Sequence, residues 1–459
     1  MRALAMMLCI FLSVRGGFAT ERPWPAKSHI EDRSEIGREL RSHSFGAKRQ
    51  IAILKKGKSV IKGHGKVFFG RRSYSPEDYF QIGDLVGFID GPVSTLEFPL
   101  DTAPPYPSTE GHTAPPYPST RSVDIDLIEP IKLVTSLPYE EIDPRVAPTD
   151  AAIRVPNAPS ELPWGIDRID QYKLPLNKKY EPIGRGKNSI VYMLDTGIYA
   201  GHTEFGKRVL KGADFTTDGG TKDLNGHGTH TSSTAVGKTM GVSNMAKVVP
   251  VKVLARNGQG TNWGVIKGIE WAVNDIKKRK ACGVINMSLG GGKSQIMNAA
   301  VNAAFENGVI SVVAAGNSGD DACLYSPSSA TTAVTVGATT VRDQMAYFSS
   351  YGNCTKIIAP GLSILGAGIA SKNAVRYASG TSMSSPHVAG VIAAIMSKYG
   401  CISPNRTLQI LDEWVLNGVI AEVRPKTPNK MVHIPNITDT MYPTRQPTTQ
   451  PTKKPTKSG

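Results

Sequence analysis

The chain has 459 residues, 40% of them hydrophobic, and a formal net charge of +15 at pH 7. This length and apolar content are enough for two or three globular domains, which excludes a chain that is disordered throughout. Lysine and arginine are spread along the sequence without an aromatic-interleaved basic motif. The charge therefore indicates a solvated basic surface, and no nucleic-acid partner is expected.

The N-terminus has the pattern of a secretory signal peptide, assigned to residues 1–19. Arg2 precedes a mostly apolar run over 3–14, and small residues before Thr20 suit cleavage. The run of about twelve residues is too short to span a bilayer, and no later run approaches the ~20 apolar residues of a membrane helix. The mature protein is predicted to be secreted and extracellular, without membrane attachment, and a retained N-terminal anchor is the alternative.

The next region, residues 20–150, is charged and interrupted by proline. Strand-like runs in it predict a small α+β module, at 50–55, 66–70 and 123–128. Eight residues that begin at Thr102 recur word for word from Thr113. We expect this Pro-rich insertion, 102–120, to be an extended spacer, because two copies are too few for a solenoid. Recognition by a Pro-binding partner is the alternative.

Residues 151–425 alternate short apolar runs with helical patterns. Buried strands are predicted at 189–194, 248–254, 283–289 and 309–315, and helices at 264–277 and 296–307. This alternation predicts an α/β fold with a doubly wound, mainly parallel sheet flanked by helices. Functional sites of such sheets lie beyond the carboxyl ends of the strands. Asp195, Ser288 and Asn317 fall at those ends or just after them.

The C-terminal tail is assigned to residues 426–459 and predicted to be disordered. From about Pro443 it alternates Pro, Thr, Gln and Lys, and no large apolar residue follows Tyr442. Such a segment buries too little surface to offset its chain entropy. A linker or O-glycosylated stalk is expected, and tethering to a cell wall or a partner is the alternative.

Four of the five cysteines remain after the signal peptide, which contains Cys9. An even number in an exported chain favours disulfide bonds over metal ligation. The spacing alone leaves three pairings open among Cys282, Cys323, Cys354 and Cys401.

Three separate motifs contain the groups of nucleophilic catalysis. Asp195 ends an apolar run, His227 lies between two glycines, and Ser382 precedes an apolar helical run over 388–396. A serine hydroxyl needs an imidazole to take its proton, and the imidazole needs a carboxylate to orient it. Two of these residues also have a structural interpretation, as a helix cap for Ser382 and as a turn residue for Asp195.

His230 follows His227 by three residues, a spacing that would also suit a pair of metal ligands on one helical face. No further cluster of His, Cys or Glu accompanies the pair in the sequence. We therefore expect no catalytic metal and assign His230 a structural role.

The order Asp195, His227, Ser382, with spacings of 32 and 155 residues (227 minus 195, 382 minus 227), resembles the subtilisin superfamily, and within it the proteinase K-like group. The resemblance spans about 160 to 400. It implies a secreted serine endopeptidase, subtilisin-like, which is made as a zymogen. Residues 20–150 would then be the propeptide, an intramolecular inhibitor, with a maturation cut between about 145 and 160. The expected partners are protein or peptide substrates, and the enzyme is expected to be a monomer.

The resemblance also assigns the groups that surround the reacting bond. The side-chain amide of Asn317, with the Ser382 backbone N–H, would bind the oxyanion. Substrate would pair as an added strand with two extended segments, 258–260 (Gly258, Gln259, Gly260) and 288–290 (Ser288, Leu289, Gly290). The pocket wall would include Ala314, Ala315 and Gly316.

No acidic residue occurs in these predicted pocket walls. The sequence therefore indicates a broad or bulky-apolar preference instead of a preference for basic residues. Asp320 and Asp321 lie close to the wall in sequence, which leaves the preference open.

By the same resemblance, Cys323 pairs with Cys354, which leaves Cys282 and Cys401 as the remaining candidates for a second bond. No cofactor is required. Relatives bind a structural calcium ion, but Lys356 and Thr331 replace contributing residues, so the usual site is predicted to be lost, and a structural calcium site elsewhere is left open. Glycosylation triplets begin at Asn405, Asn436 and Asn353.

Two other classes of function are alternatives to a protease. A catalytically silent binding protein on the same fold would not need all of these catalytic motifs. An esterase of the α/β-hydrolase type places serine before the acid and the histidine, within Gly-X-Ser-X-Gly. The serine comes last in this chain, so the protease interpretation is preferred.

Overall fold

The computed structural model describes residues 50–54, 61–63, 66–69, 72–74, 79–82, 85–90, 125–137 and 162–438. Four predicted features lie outside these residues: the signal peptide, the Pro-rich insertion, the maturation region and the tail beyond 438.

The N-terminal part of the described chain consists of strands. They are β1 (Gln50–Leu54), β2 (Ile61–Gly63), β3 (Lys66–Phe69), β4 (Arg72–Tyr74), β5 (Tyr79–Ile82), β6 (Leu85–Asp90), β7 (Ile125–Pro130) and β8 (Leu133–Ser136). Strands β5, β6, β1 and β7 form an antiparallel sheet in that order, and β2 to β4 form a smaller one. We call residues 50–137 the N-terminal module. The helical component of the predicted α+β module falls outside the described ranges.

The remaining strands belong to the α/β region. They are β9 (Ser189–Asp195), β10 (Ala213–Asp214), β11 (Lys247–Lys252), β12 (Gln259–Thr261), β13 (Cys282–Met287), β14 (Leu289–Gly292), β15 (Ile310–Ala314), β16 (Tyr325–Ser326), β17 (Val334–Thr339), β18 (Ile357–Pro360), β19 (Ile364–Ala367), β20 (Val375–Ala378), β21 (Leu416–Asn417) and β22 (Lys430–Met431). The helices are α1 (Trp164–Ile169), α2 (His227–Val236), α3 (Asn262–Arg279), α4 (Gln295–Glu306), α5 (Thr381–Tyr399) and α6 (Pro404–Trp414).

A nine-stranded sheet forms the centre, in the order β10-β11-β9-β13-β15-β17-β18-β22-β21. All neighbouring pairs are parallel except β21 with β22. This arrangement confirms the predicted doubly wound, mainly parallel fold.

Strand β9 shows why the apolar runs of the sequence are continuous. Its alternate residues Ile190, Tyr192 and Leu194 pack in one core cluster, which also contains apolar residues of α3 and α4. Val191 and Met193 point the other way, into a second cluster with residues of α2, α5 and α6. A strand covered by helices on both faces needs apolar side chains at every position. The same covering places Asp195 at the buried end of the strand.

Two of the flanking helices begin at hydroxyl residues. Thr261 Oγ1 accepts a hydrogen bond from Gly264 N at the start of α3, and Ser294 Oγ accepts one from Met297 N at the start of α4. Such caps satisfy amide groups that have no partner within the helix. The last turn of α3 contains Lys277, Lys278 and Arg279, which complement the negative end of the helix dipole.

The predicted start of the disordered tail at residue 426 is wrong. The structure describes residues 426–438, and Met431, Val432 and Ile434 among them are fully buried. Strand β22 extends the central sheet by pairing with β18. The α/β region therefore continues to at least residue 438. The proline and lysine content of this segment suggested a tail, whereas a few apolar residues hold it on a distant strand.

Candidate active site

Asp195 and His227 form a fully buried pair at the carboxyl end of β9. His227 Nδ1 lies 2.7 Å from Asp195 Oδ1, and neither side chain is exposed. Asp195 Oδ1 also accepts a hydrogen bond from Thr196 N, and Thr231 Oγ1 donates to Asp195 Oδ2. These hydrogen bonds hold the Asp195 carboxylate in one orientation, and the carboxylate in turn orients the His227 ring. Because Nδ1 faces Asp195, Nε2 is the nitrogen that can transfer a proton.

The turn that presents His227 is organised by Asp223, a residue that the sequence analysis did not identify. Its carboxylate, 1% exposed, accepts hydrogen bonds from the amides of Asn225, Gly226 and Thr229 and from two hydroxyl groups, Thr196 Oγ1 and Thr229 Oγ1. A lone acid in a polar loop gives no sequence signal for such a role.

Replacing Asp223 with alanine is expected to lower the free energy of unfolding by about 3 kcal/mol or more, because each buried donor left without an acceptor costs ~1–3 kcal/mol. Turnover should fall as well, since the turn before His227 loses its support. Urea denaturation and kcat, measured on the same preparation, check both effects. Glu413→Ala removes an exposed carboxylate and should change stability by no more than about 0.5 kcal/mol. Unchanged stability and turnover in Asp223→Ala would refute the assigned role.

Ser382 lies in the first turn of α5, which packs against the helix that begins at His227. Its Oγ donates to Ser288 O at 3.3 Å, and Ser288 Oγ donates back to Ser382 O at 2.8 Å. The second bond is available because Pro386, four residues on, has no N–H to donate to the Ser382 carbonyl. Because of this proline, the Ser382 carbonyl can accept a hydrogen bond from Ser288, the residue that follows β13.

Asn317 has the orientation that an oxyanion donor requires. Its Oδ1 accepts hydrogen bonds from Thr381 N and Thr381 Oγ1, both at 2.8 Å. Because the Thr381 amide is a donor, the atom facing it must be oxygen, and Nδ2 then points the other way. A methyl group added to Gly380 would lie 2.9 Å from Asn317 Nδ2 and 3.6 Å from Ser382 N. Glycine therefore keeps open the space next to both donors.

His230 is fully buried, and its Nε2 is 3.1 Å from Ile364 O. Burial, together with the positive charge of Arg376, lowers the pKa of His230 to about 3. The ring is therefore neutral near pH 7 and donates from Nε2 to a backbone carbonyl, a structural use of the side chain.

The two predicted substrate segments lie on either side of a strand from the same chain. Strand β8 pairs antiparallel with β12 and with β14, so that Thr135 is opposite both Gln259 and Gly290. Ser136 N donates to Gly258 O at 2.8 Å. The second segment continues past its predicted end, because Gly291 pairs with Val134. A methyl group on Gly291 would lie 2.7 Å from Leu133 O, so glycine allows this close approach.

A pocket of about 210 Å³ opens beside β8. It is lined by Thr135, Leu137, Gly290, Gly291, Gly292, Ala314, Ala315, Gly316, Ser318, Tyr325 and Ser328. The predicted wall residues Ala314, Ala315 and Gly316 all take part, whereas Ser288 and Leu289 lie outside the lining. Ser318, Tyr325 and Ser328 carry no signal in the sequence for a place in this lining. None of the described residues that line the pocket is charged.

Both disulfide bonds are present, Cys282–Cys401 and Cys323–Cys354. The second connects the loop after Asn317 to the turn at Tyr351, where Asp321 and Tyr351 form a parallel bridge. Of the glycosylation candidates, Asn353 and Asn405 are exposed and Asn436 is half-buried.

An acidic pair at α1 provides oxygen atoms suited to a cation. Asp167 and Asp170 are 2% and 4% exposed, and each has one Oδ1 without a hydrogen-bond partner among the described residues. Burial, with the charges of Asp167 and Glu181, raises the pKa of Asp170 to about 7. A hard cation such as calcium prefers carboxylate oxygens and would relieve this unfavourable burial. At the predicted lost site, Lys356 Nζ donates to Asn353 O, so an ammonium group lies there.

The site combines a buried carboxylate–imidazole pair with a serine at a helix start. An amide lies beside that serine, and a strand-binding cleft adjoins it. This combination defines a serine protease. Residues 186–424 match the model of the Subtilase family, and the chain belongs to this family. It is a subtilisin-like serine protease.

Similar proteins support this assignment. An extracellular serine proteinase of Thermus sp. (strain Rt41A) is 43% identical over 296 residues, which cover 64% of this chain and 72% of the relative. The subtilisin-like serine protease Pen c 2 of Penicillium citrinum is 41% identical over 330 residues, covering 66% of this chain and 71% of the relative. The crystal structure of a cold adapted subtilisin-like serine proteinase has a TM-score of 0.57 and 39% identity, covering 60% of this chain and 99% of that chain. Within the described residues, each helix is too short or too polar to cross a membrane.

Proposed function

We propose that this protein is a secreted serine endopeptidase, made as a zymogen, that hydrolyses peptide bonds through an acyl-enzyme and prefers large apolar residues before the scissile bond. The observation that carries the proposal is the position of the buried Asp195–His227 pair and of Asn317 beside a cleft that already holds an extended strand. The name of one relative, an extracellular serine proteinase, and the signal-like N-terminus support secretion.

In the proposed reaction, Ser382 Oγ attacks the carbonyl carbon while its proton passes to His227 Nε2. The carbonyl oxygen becomes an oxyanion and accepts hydrogen bonds from Asn317 Nδ2 and Ser382 N. The C–N bond then breaks as His227 gives its proton to the leaving amine, leaving an ester on Ser382. Water, deprotonated by His227, then attacks this ester. The bond to Ser382 Oγ breaks as His227 returns the proton to that oxygen, and the second product leaves as a carboxylic acid. Asp195 orients the imidazole throughout and keeps its own charge.

A serine-directed phosphonate tests the proposal directly. The mature protein should be labelled at Ser382 and should hydrolyse casein, whereas Ser382→Ala should do neither. If the correctly trimmed wild type showed neither labelling nor hydrolysis, the chain would be a silent binding protein on a protease fold.

The zymogen proposal rests on how the N-terminal module docks. Besides β8 in the cleft, Glu129 binds the start of α4: its two carboxylate oxygens accept hydrogen bonds from Ser294 Oγ and Gln295 N, both at 2.8 Å. A carboxylate at a helix N-terminus is favoured by the unpaired amides and the helix dipole. The module thus uses a charged anchor next to the strand that fills the cleft.

A second contact area lies on α3. Phe80 and Ile82 are buried in the same core cluster as the apolar face of this helix, and the Phe80 ring meets Trp263 edge-on at 5.7 Å. Gln81 N donates to Glu270 Oε1, and Lys267 Nζ donates to Tyr79 O. Apolar burial framed by hydrogen bonds is the composition of a stable interface.

The residue that follows Leu137 in the sequence is proline. Its nitrogen has a ring carbon in place of hydrogen, which crowds the side from which an imidazole would deliver a proton. A Leu–Pro bond is therefore a poor substrate, and the strand that fills the cleft resists cleavage at its own end. This supports a maturation cut farther along the chain, in the predicted interval 145–160.

Glu129→Ala is expected to shorten the latent period of the full-length precursor. Hydrogen bonds to a charged group contribute about 1.5–3 kcal/mol, so docking should weaken by about 10- to 100-fold. The time course of casein hydrolysis after the purified precursor is diluted measures the effect, with Glu413→Ala as the matched surface control. A latent period equal to that of the wild type would contradict the anchoring role. Mass spectrometry of the products adds a second readout, because a major fragment ending at Leu137 would contradict the argument from proline.

We also propose a structural calcium ion at Asp167 and Asp170. It would supply positive charge to two buried carboxylates and takes no part in the chemistry at Ser382. At a free concentration of about 100 times Kd, calcium would stabilise the protein by about 2.7 kcal/mol. The melting temperature should then rise by about 5–10 °C.

Differential scanning calorimetry in calcium and in EDTA measures this shift. Asp170→Asn should lose the dependence on calcium, whereas Asp412→Asn, on the exposed face of α6, should keep it. A wild type that melts at the same temperature in both buffers would rule the site out.

The pocket supports the proposed preference. Its volume of about 210 Å³ remains with Leu137 already at its edge, and exceeds the roughly 150 Å³ cavity that accommodates benzene in an engineered protein. A larger side chain than leucine therefore fits, and the uncharged lining favours an apolar one.

A further inference from the structure

Tyr325 connects the pocket to an acidic residue outside it. The tyrosine lines the pocket from strand β16, where it pairs with Gly292 of β14. Its hydroxyl donates to Asp320 Oδ2 at 2.5 Å. Asp320 itself does not line the pocket. The hydrogen bond that Tyr325 donates to Asp320 raises the pKa of Tyr325, and burial raises it further, so the phenol keeps the proton that it donates.

The other oxygen of Asp320 is linked through Ser350 to a second lining residue, Gly316. Ser350 Oγ donates to Asp320 Oδ1 at 3.0 Å, and Ser350 N donates to Gly316 O at 2.9 Å. A methyl group on Gly316 would lie 2.8 Å from Ser350 Oγ, so this serine packs directly behind the glycine wall. One carboxylate thus joins two walls of the pocket through two neutral hydroxyl groups.

We propose that Tyr325 and Asp320 together determine which residue the enzyme accepts before the scissile bond. The tyrosine ring separates the carboxylate from the pocket, and Asp320 holds that ring in place against the Gly316 wall. The pocket therefore takes aromatic and large apolar side chains and rejects lysine and arginine, although an acid lies one side chain away. This inference rests on the proposed peptidase function and names its substrate class.

The physical reason lies in the cost of an unpaired charge. An ammonium or guanidinium group that enters an uncharged pocket loses water and gains no counter-ion. Pockets that select basic residues place a carboxylate in the lining for this purpose. Here the carboxylate is present but bonded to Tyr325 and Ser350, so removing the ring should convert it into such a counter-ion.

Four proteins test the inference: the wild type, Tyr325→Ala, Asp320→Asn and the double variant. Each is assayed for kcat/KM on peptide anilides that differ only in having Phe, Leu or Lys before the scissile bond. The wild type should prefer Phe to Lys by about 100-fold or more. Tyr325→Ala should raise the Lys-to-Phe ratio by about 10-fold or more, and the double variant should raise it by less than about 3-fold, because the charge is gone.

Asp320→Asn alone separates positioning from charge. The asparagine oxygen still accepts the tyrosine hydrogen bond, so the preference for Phe over Leu should stay within about 2-fold of the wild type. Asp320→Ala removes the acceptor and should narrow that preference. Asp321→Asn, the neighbouring acid that accepts from Cys323 N and not from Tyr325, is the control and should keep the wild-type ratios.

The inference fails if the wild type cleaves after Lys as well as after Phe, or if the double variant gains on Lys as much as Tyr325→Ala does. Failure of the peptidase proposal would look different, since no substrate would be hydrolysed and the phosphonate would label none of the proteins.

Discussion

Ser382→Ala should lower kcat by a factor on the order of 10⁶, the loss found when the nucleophile of a subtilisin is removed. Residual activity of about 10³ to 10⁴ over water should remain, because the oxyanion donors and the cleft still act on the bound peptide. The substitution removes one hydroxyl whose hydrogen bond, to Ser288 O, is long at 3.3 Å. Stability should therefore be nearly unchanged, so the loss can be assigned to chemistry.

The measurement is single-turnover hydrolysis of a chromogenic peptide, with circular dichroism to confirm folding. Ser371→Ala, an exposed serine in a turn, is the matched control and should keep full activity. A Ser382→Ala protein with more than about one hundredth of wild-type turnover would mean that another group performs the attack.

The same variant reports on maturation. If the protein cuts its own connector, the full-length Ser382→Ala chain should accumulate, because no acyl-enzyme can form. Addition of a trace of mature wild type then distinguishes the two routes: trimming of the variant shows that cutting between molecules is sufficient. Normal trimming without any added enzyme would show that another protease performs the maturation.

Much of this site could be predicted from the sequence, because its catalytic residues lie at the ends of strands and the starts of helices, where the sequence pattern changes. The apolar run of β9 is unbroken since both faces are covered, and its end identifies Asp195 without further information. His227 between glycines and Ser382 before an apolar helix are local signals of the same kind. Each sits where a strand or a helix begins or ends, and such boundaries follow from short-range rules.

The residues that escaped prediction are those whose roles depend on contacts between distant segments. Tyr325 reaches the pocket because β16 pairs with β14, and a two-residue strand has no periodicity to detect. Asp223 acts on amides within six residues of itself, yet nothing in a polar loop tells which acid is buried. Long-range pairing also explains residues 426–438, where β22 is held by a strand more than seventy residues earlier (431 minus 358).

Strand β8 is a further case. Residues 133–136 carry no strand signal, because the seven residues between Pro130 and Pro138 show no sustained alternating pattern. Their extended conformation comes from β12 and β14, which offer backbone groups on both sides. Because β8 is a strand only through this pairing, it can lose its structure when the pairing is broken. The proposed zymogen requires such a reversible contact.

Asn317→Asp should reduce kcat by about 10²- to 10³-fold or more, while the fold around the site is preserved. The isosteric carboxylate keeps an oxygen for Thr381 N and Thr381 Oγ1, so both hydrogen bonds that position this side chain remain. The substitution removes the Nδ2 donor and places negative charge next to the oxyanion. Loss of such a donor in subtilisin has the same order of effect, and like charge should add to it.

Comparison with Asn317→Ala separates the loss of the Nδ2 donor from a loss of stability. Alanine loses the donor and also leaves the buried Thr381 hydroxyl and amide without their acceptor, so it should lower stability by about 1–3 kcal/mol as well as turnover. Asn317→Asp should lower turnover with a smaller change in stability, and KM should stay within a few-fold in both because the donor acts on the transition state. If instead KM rose and kcat stayed constant, Asn317 would bind the ground state, and the oxyanion would have to be stabilised by backbone groups such as Ser382 N alone.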